Sequence, residues 1–137
     1  MNEPPAVVIK APKTKMAYIL IDYKMFAVIG VFSSIEKVEE TKTNLYKRDL
    51  KVIKDKLNES LVLDNLNEDQ ILKVNGTLTQ INFVLNDYDS RATQIPITYN
   101  DYCYSSRYAW YSMPLDDYDM NKSFSNQCIL LPYNKLD

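Results

Sequence analysis

Two apolar runs separated by three polar residues constrain this chain more than any other feature. They are Ala17-Tyr18-Ile19-Leu20-Ile21 and Met25-Phe26-Ala27-Val28-Ile29-Gly30-Val31-Phe32, with Asp22-Tyr23-Lys24 between them. Both are rich in β-branched and aromatic residues and too short for helices of their own. The pattern predicts a β-hairpin over 17–32. Ser33-Ser34-Ile35-Glu36 follows at once. Ser33 is the expected helix cap, with Glu36 reaching back to its amide. A membrane-spanning reading of the same window would put Asp22 and Lys24 at bilayer depth, at roughly 2.5–3.5 kcal/mol each. A hairpin turn in water carries no such cost, so no membrane partner is expected.

The predicted helix covers about 34–60. Tyr46, Leu50, Ile53 and Leu57 form one stripe at spacings of four, three and four, and Ile35, Val38 and Leu45 extend the apolar side. Acids gather in its first turns and bases dominate later, the order that suits the helix dipole. Asn67-Glu68-Asp69-Gln70 then carries a helix-start signature. From there Ile71, Val74, Leu78, Ile81, Leu85 and Tyr88 recur at helical spacing. Asn75-Gly76 is also a strong hairpin-turn signal, so 71–85 is open between a second helix and a hairpin, the unbroken period favouring the helix.

Residues 88–118 hold seven of the eleven tyrosines and the single tryptophan. Tyr102, Tyr104, Tyr108 and Trp110 all fall on even positions, so one strand over about 102–113 places them on one face. These four rings are the candidate partner-binding residues, because Tyr and Trp are enriched at interface hot spots; packing on the core is the competing use. The expected fold is α+β: an antiparallel sheet of the hairpin and this strand, packed against the long helix (about 34–60) and a second helical segment (about 68–87). It buries Ile19, Ile21, Val28 and Val31 or their opposite-face neighbours, the alternation alone leaving the face open.

Residues 1–15 form an expected extended arm and 16–137 a single domain. The arm contains Pro4, Pro5 and Pro12 with Lys10, Lys13 and Lys15. Met1-Asn2-Glu3-Pro4-Pro5 lacks the basic start and apolar core of a secretory leader. Cys103 and Cys128 are too few for a disulfide framework and are expected as free thiols. Both features point to an intracellular setting.

Composition closes many chemistries. With no His, two Gly and two Cys, the chain cannot build an imidazole-based nucleophile system, a four-ligand zinc site or a glycine-rich phosphate loop. No cofactor or metal is expected, and the function expected is non-enzymatic. Asp117-Tyr118-Asp119-Met120-Asn121 opens like a calcium loop, but Lys122 and Cys128 stand where Gly and Glu are needed. Asp116, Asp117 and Asp119 remain the only carboxylate cluster for a hard cation.

The segment Tyr18-Ile19-Leu20-Ile21-Asp22-Tyr23 through Val28-Ile29-Gly30-Val31-Phe32-Ser33-Ser34 to Glu39-Glu40 resembles a hairpin–helix unit of small uncharacterised phage and large-DNA-virus proteins. The resemblance implies a hairpin–helix fold and a viral origin, with the host cytoplasm or virion as its place, and carries no functional residues. The expected function is protein–protein interaction, as a minor assembly component or partner-blocking factor, with another protein or a second copy as partner. The alternative is a nucleic-acid accessory protein using Lys10, Lys13, Lys15, Lys47, Arg48, Lys51 and Lys54. A net charge of −2 and acids on the same helix weigh against it. Titration with DNA or RNA at physiological salt should therefore give no complex tighter than about 10 µM. A submicromolar, steeply salt-dependent complex abolished by Lys47/Lys51/Lys54→Glu contradicts this.

Overall fold

A computed structural model describes residues 15–86 and 95–115. Strand β1 (Met16–Asp22) turns through 23–26 into β2 (Ala27–Phe32). Helix α1 (Ile35–Leu63) follows, then α2 (Glu68–Asn86). After them come two short strands, β3 (Thr98–Tyr99) and β4 (Tyr102–Cys103), a 3₁₀ turn at Tyr104–Ser106, and β5 (Tyr108–Pro114). The main sheet is antiparallel in the order β2-β1-β5, and α1 lies against all three strands. The fold is α+β as the hydrophobic pattern requires.

Register decides which face is buried. Leu20 stands opposite Gly30 on one side and Trp110 on the other, and Asp22 stands opposite Tyr108. The face of Tyr18, Leu20, Phe32, Tyr108 and Trp110 packs on α1, which contributes Val38, Tyr46, Leu50, Ile53 and Leu57. Helix α2 adds Ile81 and Val84 to the same cluster, and Ile97 completes it. Of the two faces left open by the alternation, the even-numbered one of β1 is the core face. Val28 and Val31 point away and are exposed, while Ile21, also on that other face, is fully buried. A bulge at Leu20/Ile21, where Ile21 pairs with Val28 and Ile29 is left over, adds twist to the β2 edge.

The helix starts show where local chemistry fixes the chain. Ser34, not Ser33, caps α1: its hydroxyl accepts the Lys37 amide at 3.2 Å from an extended backbone. Shifting the cap by one residue puts Lys37 where a capping box needs an acceptor, so the return bond expected from Glu36 does not form. Either serine can cap; this choice sets Val38 on the buried stripe. At α2 the reciprocal pair forms as expected, Gln70 N–H to Asn67 at 2.8 Å and Asn67 N–H to Gln70 at 2.9 Å.

The 71–85 ambiguity resolves as helix, unbroken through Gly76. Thr77 and Thr79 turn their hydroxyls onto the carbonyls of Lys73 and Asn75, at 3.1 and 2.9 Å. That local bonding accommodates two poor helix formers within the turn after Gly76.

The strand expected over 102–113 starts later, at Tyr108. Tyr102 and Cys103 instead pair with β3 across a two-residue turn, with Asn100 and Asp101 at φ of 50° and 63°. Two successive left-handed residues match the twist of a tight hairpin, and Asn and Asp adopt that conformation more readily than most. Tyr104 N–H to Ile97 O at 2.8 Å extends this hairpin by one bond, and the 3₁₀ turn, closed by Arg107 N–H to Tyr104 O at 3.2 Å, then delivers the chain to β5.

Gly76 is exposed, and a Cβ there meets nothing within 4 Å. Gly76→Ala should therefore stabilise the protein by about 1 kcal/mol, the helix-interior difference between the two residues. Urea unfolding checks it. A loss of stability would mean that the helix is interrupted at this position.

Candidate functional site

At the end of the sheet that carries the 23–26 turn, three charged side chains are taken out of water together. Asp22 ends β1, Asp49 lies on the buried stripe of α1, and Arg107 precedes β5. Arg107 grips Asp22 with two donors, Nε to Oδ1 at 3.0 Å and Nη2 to Oδ2 at 2.8 Å. Its Nη1 donates to Asp49 Oδ2 at 3.1 Å, and the same oxygen accepts the Tyr108 hydroxyl at 2.8 Å. The Arg107 side chain is 14% exposed and each carboxylate 9%. The planar guanidinium also lies over the Tyr108 ring, 5.0 Å from its centre.

Asp22 does a second job. Its Oδ1 accepts the amides of Lys24 and Met25, at 3.0 and 3.2 Å, which folds the turn back on the strand end. Tyr23 N–H continues the pairing with β5 by donating to Arg107 O at 2.8 Å. Phe26 closes the turn at φ 53°, a conformation a bulky residue rarely adopts unless its surroundings hold it.

Burial alone would raise the Asp22 carboxyl. The Arg107 hydrogen bonds, the Met25 amide, the Arg107 charge and the Lys24 amide together outweigh it and hold Asp22 below the ordinary Asp value. Arg107 moves up, first through its bond to Asp22 and against its own burial. The Tyr108 phenol is raised by burial, then by Asp49, with Arg107 and Arg48 opposing. Tyr46, donating to Ile95 O at 3.4 Å, is raised chiefly by burial. Tyr23 is pushed up to about 12 by burial and by its hydrogen-bond partner Tyr111.

The four candidate rings divide into two pairs. Tyr108 is buried in the core; Trp110 is half-buried against it, its indole N–H donating to Glu39 and its ring edge-on to Tyr18 at 5.8 Å. Tyr102 and Tyr104 lie before β5, edge to face at 5.1 Å. Lys24 Nζ sits 5.8 and 5.1 Å from their ring centres and donates to the Tyr104 hydroxyl at 3.0 Å. Burial and the Asp22 charge raise the Tyr102 phenol against Arg107 and Lys24. Between the two tyrosines, Cys103 is a free thiol 3.0 Å from Ser105 Oγ; that hydrogen bond, against burial, holds it below its ordinary value. The single aromatic face expected from even numbering is thus broken, because the 3₁₀ turn reorients the chain between Tyr104 and Tyr108.

Of the basic candidates, Lys15, Arg48 and Lys51 are exposed, and Lys47 and Lys54 are half-buried on α1. Lys10, Lys13, Asp116, Asp117, Asp119 and Cys128 lie outside the described residues. Among the described residues no group of three or more His, Cys, Asp or Glu side chains is placed to hold a metal ion, and no helix is long and apolar enough to cross a membrane. Comparison of the chain with family models, curated proteins and solved structures gives no match.

Sequence reading missed Asp22, Asp49 and Arg107 as a unit. The available signal was Asp49 itself, a carboxylate three residues after Tyr46 and four before Ile53 on the apolar stripe. A charge in that position requires a partner.

Arg107→Ala leaves two buried carboxylates without their cation and should cost about 3–5 kcal/mol. The pH dependence has a definite sign. Because the folded Asp22 value lies below the unfolded one, its contribution is present above about pH 3.9 and is lost as pH falls through the folded value. Asp22→Asn should therefore flatten the acid limb of a stability–pH curve from urea unfolding. An unchanged acid limb would show that Asp22 gains nothing from Arg107.

Proposed function

We propose that this chain is a non-enzymatic protein–protein interaction protein, and that its binding surface is the tip and free edge of the β1–β2 hairpin. One observation carries the reading: a continuous apolar exposure on an uncharged edge strand. Met25 at the tip is 65% exposed, and along β2 Val28 and Val31 are 53% and 64% exposed. Phe26 in the turn and Ile29 on the same strand are exposed as well. Among the described residues β2 pairs with β1 alone, so its outer edge presents main-chain donors and acceptors. Edge strands of this kind are usually blunted with Lys, Pro or a covering element; Ala27-Val28-Ile29-Gly30-Val31-Phe32 has neither charge nor Pro. An extended strand of a partner protein fits such an edge by β-strand addition, its alternate side chains meeting Val28 and Val31.

The charged groups best placed for chemistry support the non-enzymatic reading. Asp22, Asp49 and Arg107 are committed to one another. The likeness of residues 17–40 to viral hairpin–helix proteins is the ground for a role in assembly or in blocking a partner. Nucleic-acid contact has less support, since Lys47 and Lys54 are half-buried and the α1 bases do not form one open row.

The variant Val28→Lys/Val31→Lys tests the reading. It should abolish self-association or partner capture, read by light scattering and by pull-down from the native source beside the wild type. Folding stability should fall by no more than about 1 kcal/mol, the span of strand propensity. Association that persists in the folded double variant overturns the assignment of this edge.

A further inference from the structure

Lys24 is exposed at the hairpin turn, yet its ammonium lies within cation–π range of two tyrosine rings and bonds to one of their hydroxyls. The rings of Tyr102 and Tyr104 meet at 76° with their centres 5.1 Å apart, so the Lys24 ammonium is shared between two rings set nearly at right angles. Both are half-buried and belong to the β4–3₁₀ segment rather than to the turn that supplies the lysine. We propose that the Tyr102–Tyr104 pair is a binding site for an alkylammonium group. Lys24 fills it in the free protein, and an external lysine or quaternary ammonium displaces it.

Three features carry the proposal. The rings offer two faces and edges at fixed angles, the arrangement by which aromatic cages take ammonium ligands. The Tyr104 hydroxyl supplies the polar contact for a primary amine. The occupant is replaceable: the Lys24 main chain is anchored through its amide to Asp22 Oδ1, while its side chain crosses exposed surface. Withdrawing the ammonium thus leaves the hydrogen bonds of the turn in place. Arg107, the other cation nearby, is held by Asp22 and Asp49 and does not compete. Lys24 shares the hairpin tip with Met25, but the rings belong to the β4–3₁₀ segment, so the Tyr102 and Tyr104 ring signals and the Val28/Val31 variant read the two proposals separately.

Aromatic ¹³C NMR of the full chain tests it, with tetramethylammonium, a lysine-containing peptide, its trimethyllysine counterpart and tert-butanol as neutral isostere. In Lys24→Ala the three cations should give saturable shifts of the Tyr102 and Tyr104 ring signals, and tert-butanol none. In the wild type the apparent affinity should be about tenfold weaker, as expected when the competent state is a minor population. Tighter binding of the peptides than of tetramethylammonium assigns the ligand to a protein-borne lysine; the reverse order assigns it to a small quaternary ammonium. Adding Tyr104→Phe to Lys24→Ala should spare tetramethylammonium and weaken the unmethylated peptide. Should Lys24→Ala fail to fold, Lys24→Met keeps the aliphatic stem and serves in its place. Absence of saturable shifts in the folded variant, or equal shifts with tert-butanol, overturns the proposal and leaves Lys24 as a latch only.

Discussion

The fork of Arg107 between Asp22 and Asp49 is the interaction on which this architecture depends. It joins three segments far apart in the chain: the end of β1, the middle of α1 and the residue entering β5. Each segment has its own local reason to form. The strands have β-branched runs, the helix has a cap and an apolar stripe, and β5 has its pairing along β1. None of these reasons sets where the helix sits along the sheet. Buried carboxylates accept only a few geometries around a planar five-donor cation, so the fork fixes that position more narrowly than apolar contacts among Leu20, Leu50 and Tyr108.

Such a fork adds little net stability, because removing three charges from water costs much of what their attraction returns. Its clearer consequence is specificity. The same Asp22 oxygen that faces Arg107 Nε also holds the Lys24 and Met25 amides. The turn, the positive φ at Phe26 and the placement of Lys24 against Tyr104 are therefore linked to the position of α1. The core face is closed by helices, while among the described residues nothing pairs with the outer edge of β2 or covers the hairpin tip. For the strand addition proposed above, an edge already held in extended form loses little entropy on binding.

Much of the fold was legible in the sequence, for physical reasons that differ by element. The hairpin showed itself because both of its runs are β-branched and interrupted by charge. The second helix did so because six apolar positions kept one period and Asn67 with Gln70 framed its start. The cap of α1 was misplaced by one residue since adjacent serines have the same chemistry. The turn at Asn100-Asp101 is hard to see because its left-handed residues are not glycine, and the 3₁₀ turn at Tyr104–Ser106, which has no local signature, separates four aromatic residues that even numbering joins into one strand. The fork was the least legible feature. Its partners stand 85 and 58 residues apart, and no local pattern encodes a pairing of that range. Arg107 has no opposite charge within five residues of it in the chain, and meets Asp22 only when β5 lies beside β1.

Amide hydrogen exchange on Arg107→Met tests the coupling most directly, since Met keeps much of the side-chain volume and removes the charge and the donors. Protection should fall together at the Lys24 and Met25 amides, along the β1–β5 pairing and in the turn of α1 around Asp49. Lost protection confined to residues near 107, with α1 as protected as in the wild type, would contradict the claim that this fork ties the helix to the sheet.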